Sequence, residues 1–210
     1  MSVIDKGVLS RLSLETSGHQ LDADAEVESL LSSLATGQEY RRFLARLYGF
    51  LVPLEAALAS TAQLVGTIDL RARHKAYRLR SDLMALGLRI EQIANLPLCG
   101  GVPRAFRGVS HALGWMYVIE RSTLLHTPAY RRLARALPGE VAFASSYLKC
   151  YEGTESAMWR TFGETLEASC AESVPEVIGA TQEAYRCLRT WEVNTAGRSG
   201  KWTIQVSRSR

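Results

Sequence analysis

Apolar residues recur in this chain at intervals of three and four almost throughout, and strict alternation of apolar and polar residues is nearly absent. That spacing gathers apolar side chains on one stripe of an α-helix, so the pattern predicts an all-α domain. From Tyr40, the positions Phe43, Leu44, Leu47, Phe50, Leu51, Leu54 and Leu58 mark one side of a long helix, and Pro53 inside it predicts a kink. A second helix is expected from about Leu70 to Gln92, carrying Tyr77, Leu79, Leu83, Leu86 and Ile90. The stretch Asn95 to Pro103 is dense in turn residues and separates the two halves of the bundle. Phe106 to Leu125 is the most apolar helix. Pro128 ends or bends it, Tyr130 to Leu137 follows as a short basic helix, and Pro138-Gly139 is a stop. Helices over Glu140 to Tyr151, Thr154 to Ala168 and Pro175 to about Val193 complete a bundle of about seven or eight, with Pro175 suited to a helix start.

The 210 residues contain no Ser/Gly-rich linker, so one domain is expected over 1–193, followed by a polar, basic, loose tail over 194–210. The four cysteines, Cys99, Cys150, Cys170 and Cys187, form no CxxC pair. They read as thiols in a reducing compartment rather than as a disulfide frame or a zinc site. No unbroken apolar segment marks a secretory signal, and charges interrupt every apolar stretch before spanning length, so a cytoplasmic protein with no membrane partner is expected. The net charge of +4 and isoelectric point near 9.0 permit an anionic partner without naming it. Basic residues concentrate in Arg71 to Arg80, in Arg131 to Arg135 and in the tail, and each such run reads first as a solvated helix face. No nucleic-acid recognition motif accompanies them, so nucleic acid is not an expected partner. Neither a nucleophile elbow nor a metal-ligand cluster is present, and Gly100-Gly101 is too short for a phosphate-binding loop.

Local strings add a family. Tyr48-Gly-Phe-Leu-Val-Pro-Leu-Glu55, Asp82-Leu-Met-Ala-Leu-Gly87, and Gly114-Trp-Met-Tyr-Val-Ile-Glu120 followed by Ser122-Thr-Leu124 occur in order, then Trp159-Arg160-x-Phe162 and Trp191. From about Leu12 to Trp191 this resembles the bacterial biliverdin-producing haem oxygenases, especially the branch associated with bacterial phytochromes. The resemblance implies a haem sandwiched between a proximal helix near the N-terminus and a distal helix in mid-chain. A proximal histidine would bind the iron, and glycines in the distal helix would let bare backbone approach the bound oxygen. Haem would be cofactor and substrate, an external reductase or ferredoxin would supply electrons, and biliverdin, CO and ferrous iron would leave.

Against that pattern, His19 is the candidate iron ligand, but it stands three residues after Thr16 where the family spaces Thr and His by four. Gln20 occupies the expected place. A helix turns about 100° per residue, so the slip aims the side chain elsewhere unless an offset at Gly18 restores it. On the distal side, the family reads Glu-Gly-Ser-Thr-Leu-Gly-Gly. This chain reads Glu120-Arg121-Ser122-Thr123-Leu124-Leu125-His126, with all three glycines replaced.

Arg121, Leu125 and His126 are therefore candidate haem-contacting residues, with Ser122 as the catalytic candidate retained from the motif. Arg121 has two expected outcomes. It pairs with haem propionates or a carboxylate, or the pocket is closed. His126 is a second axial ligand or a helix cap. Arg160 matches a position whose basic residue faces a propionate in the family, against the alternative of an exposed helix arginine. His111 reads as a core histidine and His74 as part of a solvated face. The resemblance implies haem oxygenation. The distal replacements point to a second reading, a non-catalytic member that binds haem, a bilin or a protein.

Overall fold

The computed structural model describes residues 7–196, which form α-helices and two short 3₁₀ turns with no strand among them. The expected all-α fold is what the chain adopts. Two helices precede the first one that apolar spacing marks: α1 (Val8–Glu15) and α2 (Ser17–Ser33). They escape the pattern because α2 carries a mostly polar sequence, SGHQLDADAEVESLLSS, of which only Gln20 and Leu31 are buried. The long helix α3 (Gly37–Ala59) runs without a break through Pro53. It starts where Thr36 accepts the Glu39 amide and the Glu39 carboxylate accepts the Thr36 amide, a reciprocal cap.

The expected helix from Leu70 to Gln92 is three: α4 (Leu70–Arg73), α5 (Ala76–Ala85) and α6 (Ile90–Ala94). A side chain from elsewhere marks the first break and a glycine within the segment the second. Glu55 of α3 accepts the backbone amides of Lys75 (2.6 Å) and Ala76 (3.1 Å), which starts α5 there. Gly87, at φ 91°, turns the chain out of α5 in a conformation that disfavours a side chain.

The second half begins with α7 (Val109–Ser122), then a 3₁₀ turn at Thr123–Leu125, then α8 (His126–Ala136). The bend falls at the turn rather than at Pro128, which lies inside the first turn of α8. Pro138 ends nothing further; it opens α9 (Pro138–Val141). The expected helix from Glu140 to Tyr151 is absent beyond Val141, where the chain proceeds in turns. The buried Asp82 carboxylate draws in the amides of Ser146 and Tyr147, both at 2.8 Å, and the Tyr40 hydroxyl donates to the Ala144 carbonyl at 2.6 Å. These groups satisfy backbone that a helix would otherwise pair internally. The last helices, α10 (Glu155–Cys170) and α11 (Val174–Ala196), fall where expected. α11 carries helix through 194–196, and the rest of the expected tail lies outside the described residues.

α7 is the central element, buried along nearly its whole length and packed on α10 and α11. Its approach to α11 needs Gly114: a Cβ there would lie 2.6 Å from the Val177 carbonyl oxygen and 2.7 Å from the Ala180 Cβ. At the same crossing, the Thr181 hydroxyl donates to the Gly114 carbonyl at 3.0 Å. None of the described helices is long and apolar enough to cross a membrane.

Candidate functional site

α2 lies between α11 and the α7–α8 pair, and its helical phase decides what each neighbour meets. Gln20, Asp24, Val27 and Leu31 face α7 and α8, while His19, Asp22, Ala23 and Glu26 face α11. Adjacent residues point about 100° apart on a helix, so Gln20 and His19 look at different partners. The imidazole of His19 stacks on the Tyr185 ring of α11 at 5.9 Å between centroids. Gly18 sits in regular helix, so no local offset turns His19 back. His19 therefore points away from the distal helix, as the one-residue slip after Thr16 implies when no offset intervenes.

Gln20 is buried and points at α7. Its amide nitrogen donates to Thr16 Oγ1 (2.7 Å) and to the Tyr117 hydroxyl (2.9 Å), and its carbonyl oxygen accepts from Arg121 Nε (3.1 Å). The Arg121 guanidinium then closes on Asp24 with both terminal nitrogens, at 2.8 and 2.7 Å. Burial works against the Arg121 charge, but the Asp24 carboxylate outweighs it and holds the guanidinium pKa above its ordinary value. Of the two outcomes expected for Arg121, pairing with a carboxylate is realised, and the pair ties α7 to α2. Tyr117 and Asp24 escaped sequence reasoning, although a signal exists. Gln20 and Asp24, like Tyr117 and Arg121, are four residues apart, so each pair shares one helix face.

The remaining candidates are spread around this point. Ser122 donates back to the Ile119 carbonyl of its own helix at 2.8 Å. Leu125 lines a cleft, described below. His126 does not line that cleft; its ring lies against the Tyr147 ring (4.6 Å) and Cys150 Sγ (3.5 Å). Burial, reinforced by the Lys75 charge, pushes its pKa down to about 3, so the ring is neutral. Arg160 is exposed, with only a 4.0 Å contact to Glu164 one turn along.

Outward from the Arg121–Asp24 pair, α2 and α8 separate into a cleft of about 640 Å³. Val27, Leu31, Leu125, Pro128 and Ala129 make its apolar walls, and Arg131, Arg132 and Arg135 stand along α8. Arg132 is held by Glu28 and by the Ser32 hydroxyl. Arg131 and Arg135, one turn apart and exposed, have no ion pair among the described residues. The lining includes no histidine, cysteine or methionine.

The basic run before α5 also turned out differently from a solvated face. Arg73 and Lys75 are buried and converge on Glu120 of α7, with Lys75 Nζ at 2.7 Å. Lys75 also donates to the Arg73 carbonyl and the Tyr151 hydroxyl, and Arg73 to the Met158 carbonyl and Thr161 Oγ1. His74, on the same segment, is half exposed and meets Glu55 at 2.8 Å. His111 is a satisfied core histidine: Nδ1 accepts the Arg107 amide, and Nε2 meets Glu183 at 3.0 Å. Among the described residues, no group of three or more His, Cys, Asp or Glu could hold a metal ion.

No protein-family model matches the chain, nor does any curated protein sequence. Among solved structures, the chain is similar to the NO- and CO-bound haem oxygenase from Neisseria meningitidis, at 20% identity and a TM-score of 0.76. The likeness covers 97% of this chain and 98% of that one. The fold is therefore haem oxygenase-like, over the whole bundle. At that identity the likeness speaks for the fold alone, and the chemistry has to be read from the residues.

Those residues do not fit a haem bound through an axial histidine. The α2 side chain aimed at α7 is a carboxamide already committed to four partners, the fourth being the Ser13 carbonyl. The helices are also joined by a bidentate ion pair where backbone glycine would be needed.

Proposed function

We propose that this chain is a haem oxygenase-fold protein that does not oxidise haem and instead binds a bilin-type linear tetrapyrrole in the cleft between α2 and α8. The observation that carries the reading is the Gln20–Tyr117–Arg121–Asp24 closure, which occupies the ligation point and leaves the outer cleft open. A cleft of about 640 Å³ is within the usual range for small organic ligands, roughly 300–1,000 Å³. A bilin is flexible, largely apolar and carries two carboxylates. Val27, Leu31, Leu125 and Pro128 suit its body, and Arg131 and Arg135 suit the carboxylates bidentately. The resemblance to the phytochrome-associated branch supports the same class of ligand and makes a bacterial phytochrome the natural partner. Neither a reductase nor a ferredoxin has a part in this reading, because no electron is delivered.

Titration with biliverdin and with haem, separately, tests it. The expected result is a one-to-one biliverdin complex weakened about tenfold or more in Arg131→Glu/Arg135→Glu, as the loss of a charge-assisted contact requires. Haem is expected to give no Soret complex that depends on His19. Equal biliverdin affinity in the double variant, or no biliverdin complex at all, overturns the cleft assignment. A haem complex lost in His19→Ala, and converted to biliverdin with ascorbate and oxygen, overturns the whole reading in favour of the oxygenase.

A further inference from the structure

Two thiols that α7 and α2 do not use meet on the other side of α11. Cys99 lies in the loop between α6 and α7, Cys187 lies on α11, and their sulfurs are 3.6 Å apart across 88 residues of sequence. Both are free. The loop is moulded to this meeting. The Cys99 amide donates to the Gly49 carbonyl at 2.8 Å, which seats the loop on α3. A Cβ at Gly101 would come within 2.9 Å of Cys187 Sγ, so bare backbone lets that sulfur in. The hydrogen bond from Cys187 and the amides of Gly101 and Val102 together hold the Cys99 thiol down to about pKa 6, against the opposing effect of burial. Cys187 is pushed up by the same hydrogen bond. The two sulfurs share one hydrogen bond in which either can donate, so a thiolate formed at this pair is held by the neighbouring S–H. Cys99 is buried and Cys187 half-buried, so the pair meets solvent on the Cys187 side.

We infer that Cys99 and Cys187 are a dithiol modification site, oxidised by hydroperoxides to an intramolecular disulfide that staples the α6–α7 loop to α11. The Cys99 thiolate attacks one peroxide oxygen: an S–O bond forms, the O–O bond breaks, and hydroxide leaves and takes up a proton as water. The Cys187 sulfur then attacks the sulfenic sulfur of Cys99. The S–S bond forms, the S–O bond breaks, and the departing hydroxide takes the Cys187 proton as a second water. Two thiols are oxidised and one peroxide is reduced. Closing 3.6 Å to a bonded pair needs a movement of about 1.5 Å, within reach of side-chain rotation and a small loop shift. The staple acts on the helix that seats α2, since α11 carries the Tyr185 ring under His19 and the Arg189 that pairs with Asp22 and Glu26.

The remaining cysteines supply controls. Burial pushes the Cys150 thiol up to about 11 and raises Cys170 as well, and neither has a cysteine within bonding distance. The test treats the full chain with one equivalent of hydrogen peroxide, counts thiols under denaturing conditions and maps peptides by mass spectrometry. Expected are a fall from four free thiols to two, a crosslinked peptide joining Cys99 to Cys187, a raised unfolding temperature, and full reversal by dithiothreitol. Cys150→Ser is expected to form the same crosslink and Cys187→Ser to form none. Four thiols retained, a Cys99 that stops at sulfinic acid in the wild-type chain, or a crosslink to Cys150 or Cys170 overturns the proposal. Because the wild-type map decides it, a variant that fails to fold does not shield it.

Discussion

Arg121 of α7 holds Asp24 of α2 with both guanidinium termini, at 2.8 and 2.7 Å, and with its Nε reaches Gln20 one turn away on the same helix. One side chain thus fixes the spacing and the register of the two helices between which a haem would lie. The fork matters as well as the charge, because a planar guanidinium meets the carboxylate and the amide at once.

Arg121→Ala is therefore expected to lower stability by about 1–2 kcal/mol, the range for hydrogen bonds to charged groups discounted for partial exposure of the pair. Arg121→Lys should recover only part of this, since an ammonium cannot serve Asp24 bidentately and Gln20 together. Urea unfolding of Arg121→Ala, Asp24→Ala and the double variant measures the coupling. Strictly additive losses would show that the two residues stabilise the fold independently.

Glu120 lies one residue earlier and about 100° further round α7, where, among the described residues, it is the carboxylate that the side chains of both Arg73 and Lys75 reach. Glu120→Ala leaves two buried cations facing a phenol, and a loss of about 3–5 kcal/mol is expected, as for other broken buried pairs. Lys75→Met should cost much less, since Arg73 remains to balance Glu120. Chemical denaturation of the two variants side by side checks the order; a milder Glu120 variant would contradict it.

How much of this was legible in the sequence follows from where each signal is carried. Apolar spacing marked α3, α7, α10 and α11 because their buried stripes are continuous. The strings that carry the family resemblance turn out to hold packing residues: Gly114 at the α11 crossing, Asp82 beneath the turns after α9, Glu55 at the start of α5, and Trp191 donating to the Arg46 carbonyl. That is why the strings announced the fold. α2 was invisible because it buries so little, and the split of the second helix was invisible because Glu55, distant in sequence, imposes it. Arg73 and Lys75 resembled a solvated run because composition is blind to which face a helix start presents. The misalignment of His19 was visible as a one-residue slip. What became of it required knowing that α11, with Tyr185, stands on that side.

Gly114→Ala is expected to destabilise by about 2–3 kcal/mol, because the added carbon would meet backbone at Val177 and Thr181, which cannot rotate away as a side-chain end can. Gly139→Ala, where nothing lies within 4 Å of the added carbon, is the control and should be close to neutral. Thermal melts of the two variants separate a packing requirement from a general intolerance of glycine replacement.

His126 makes the fold acid-sensitive. Its folded pKa is held near 3 by burial and by Lys75, against an ordinary value of 6.5. The unfolded chain therefore takes up a proton below about 6.5 that the native state refuses. The stabilisation is complete above that pH and is lost as pH falls toward 3, at up to about 1.4 kcal/mol per pH unit. His126→Phe should flatten this part of the stability profile while keeping the contact with Tyr147. An unchanged slope between pH 6 and 4 would assign the acid loss to other groups.

Gln20 stands where the family resemblance would place an iron ligand, so introducing a histidine there is the most direct probe of what closes the space between α2 and α7. In Gln20→His, the imidazole would replace the carboxamide that reaches Tyr117 at 2.9 Å, but Arg121 would still stand opposite it, tied to Asp24. The single variant is expected to bind haem no better than wild type. Gln20→His/Arg121→Gly removes the obstruction and frees the backbone of α7 to come close, at the cost of a glycine near a helix end, about 1 kcal/mol. This double variant is expected to gain a Soret band with one equivalent of haem, and the band should survive His19→Ala in the same background because His19 faces Tyr185. A band that vanishes with His19 would show that α2 can rotate and that the Gln20 face is not fixed. No band in a double variant that melts normally would place the block at Leu125, the other replaced glycine that lines the cleft, and Gln20→His/Arg121→Gly/Leu125→Gly would then be expected to open it.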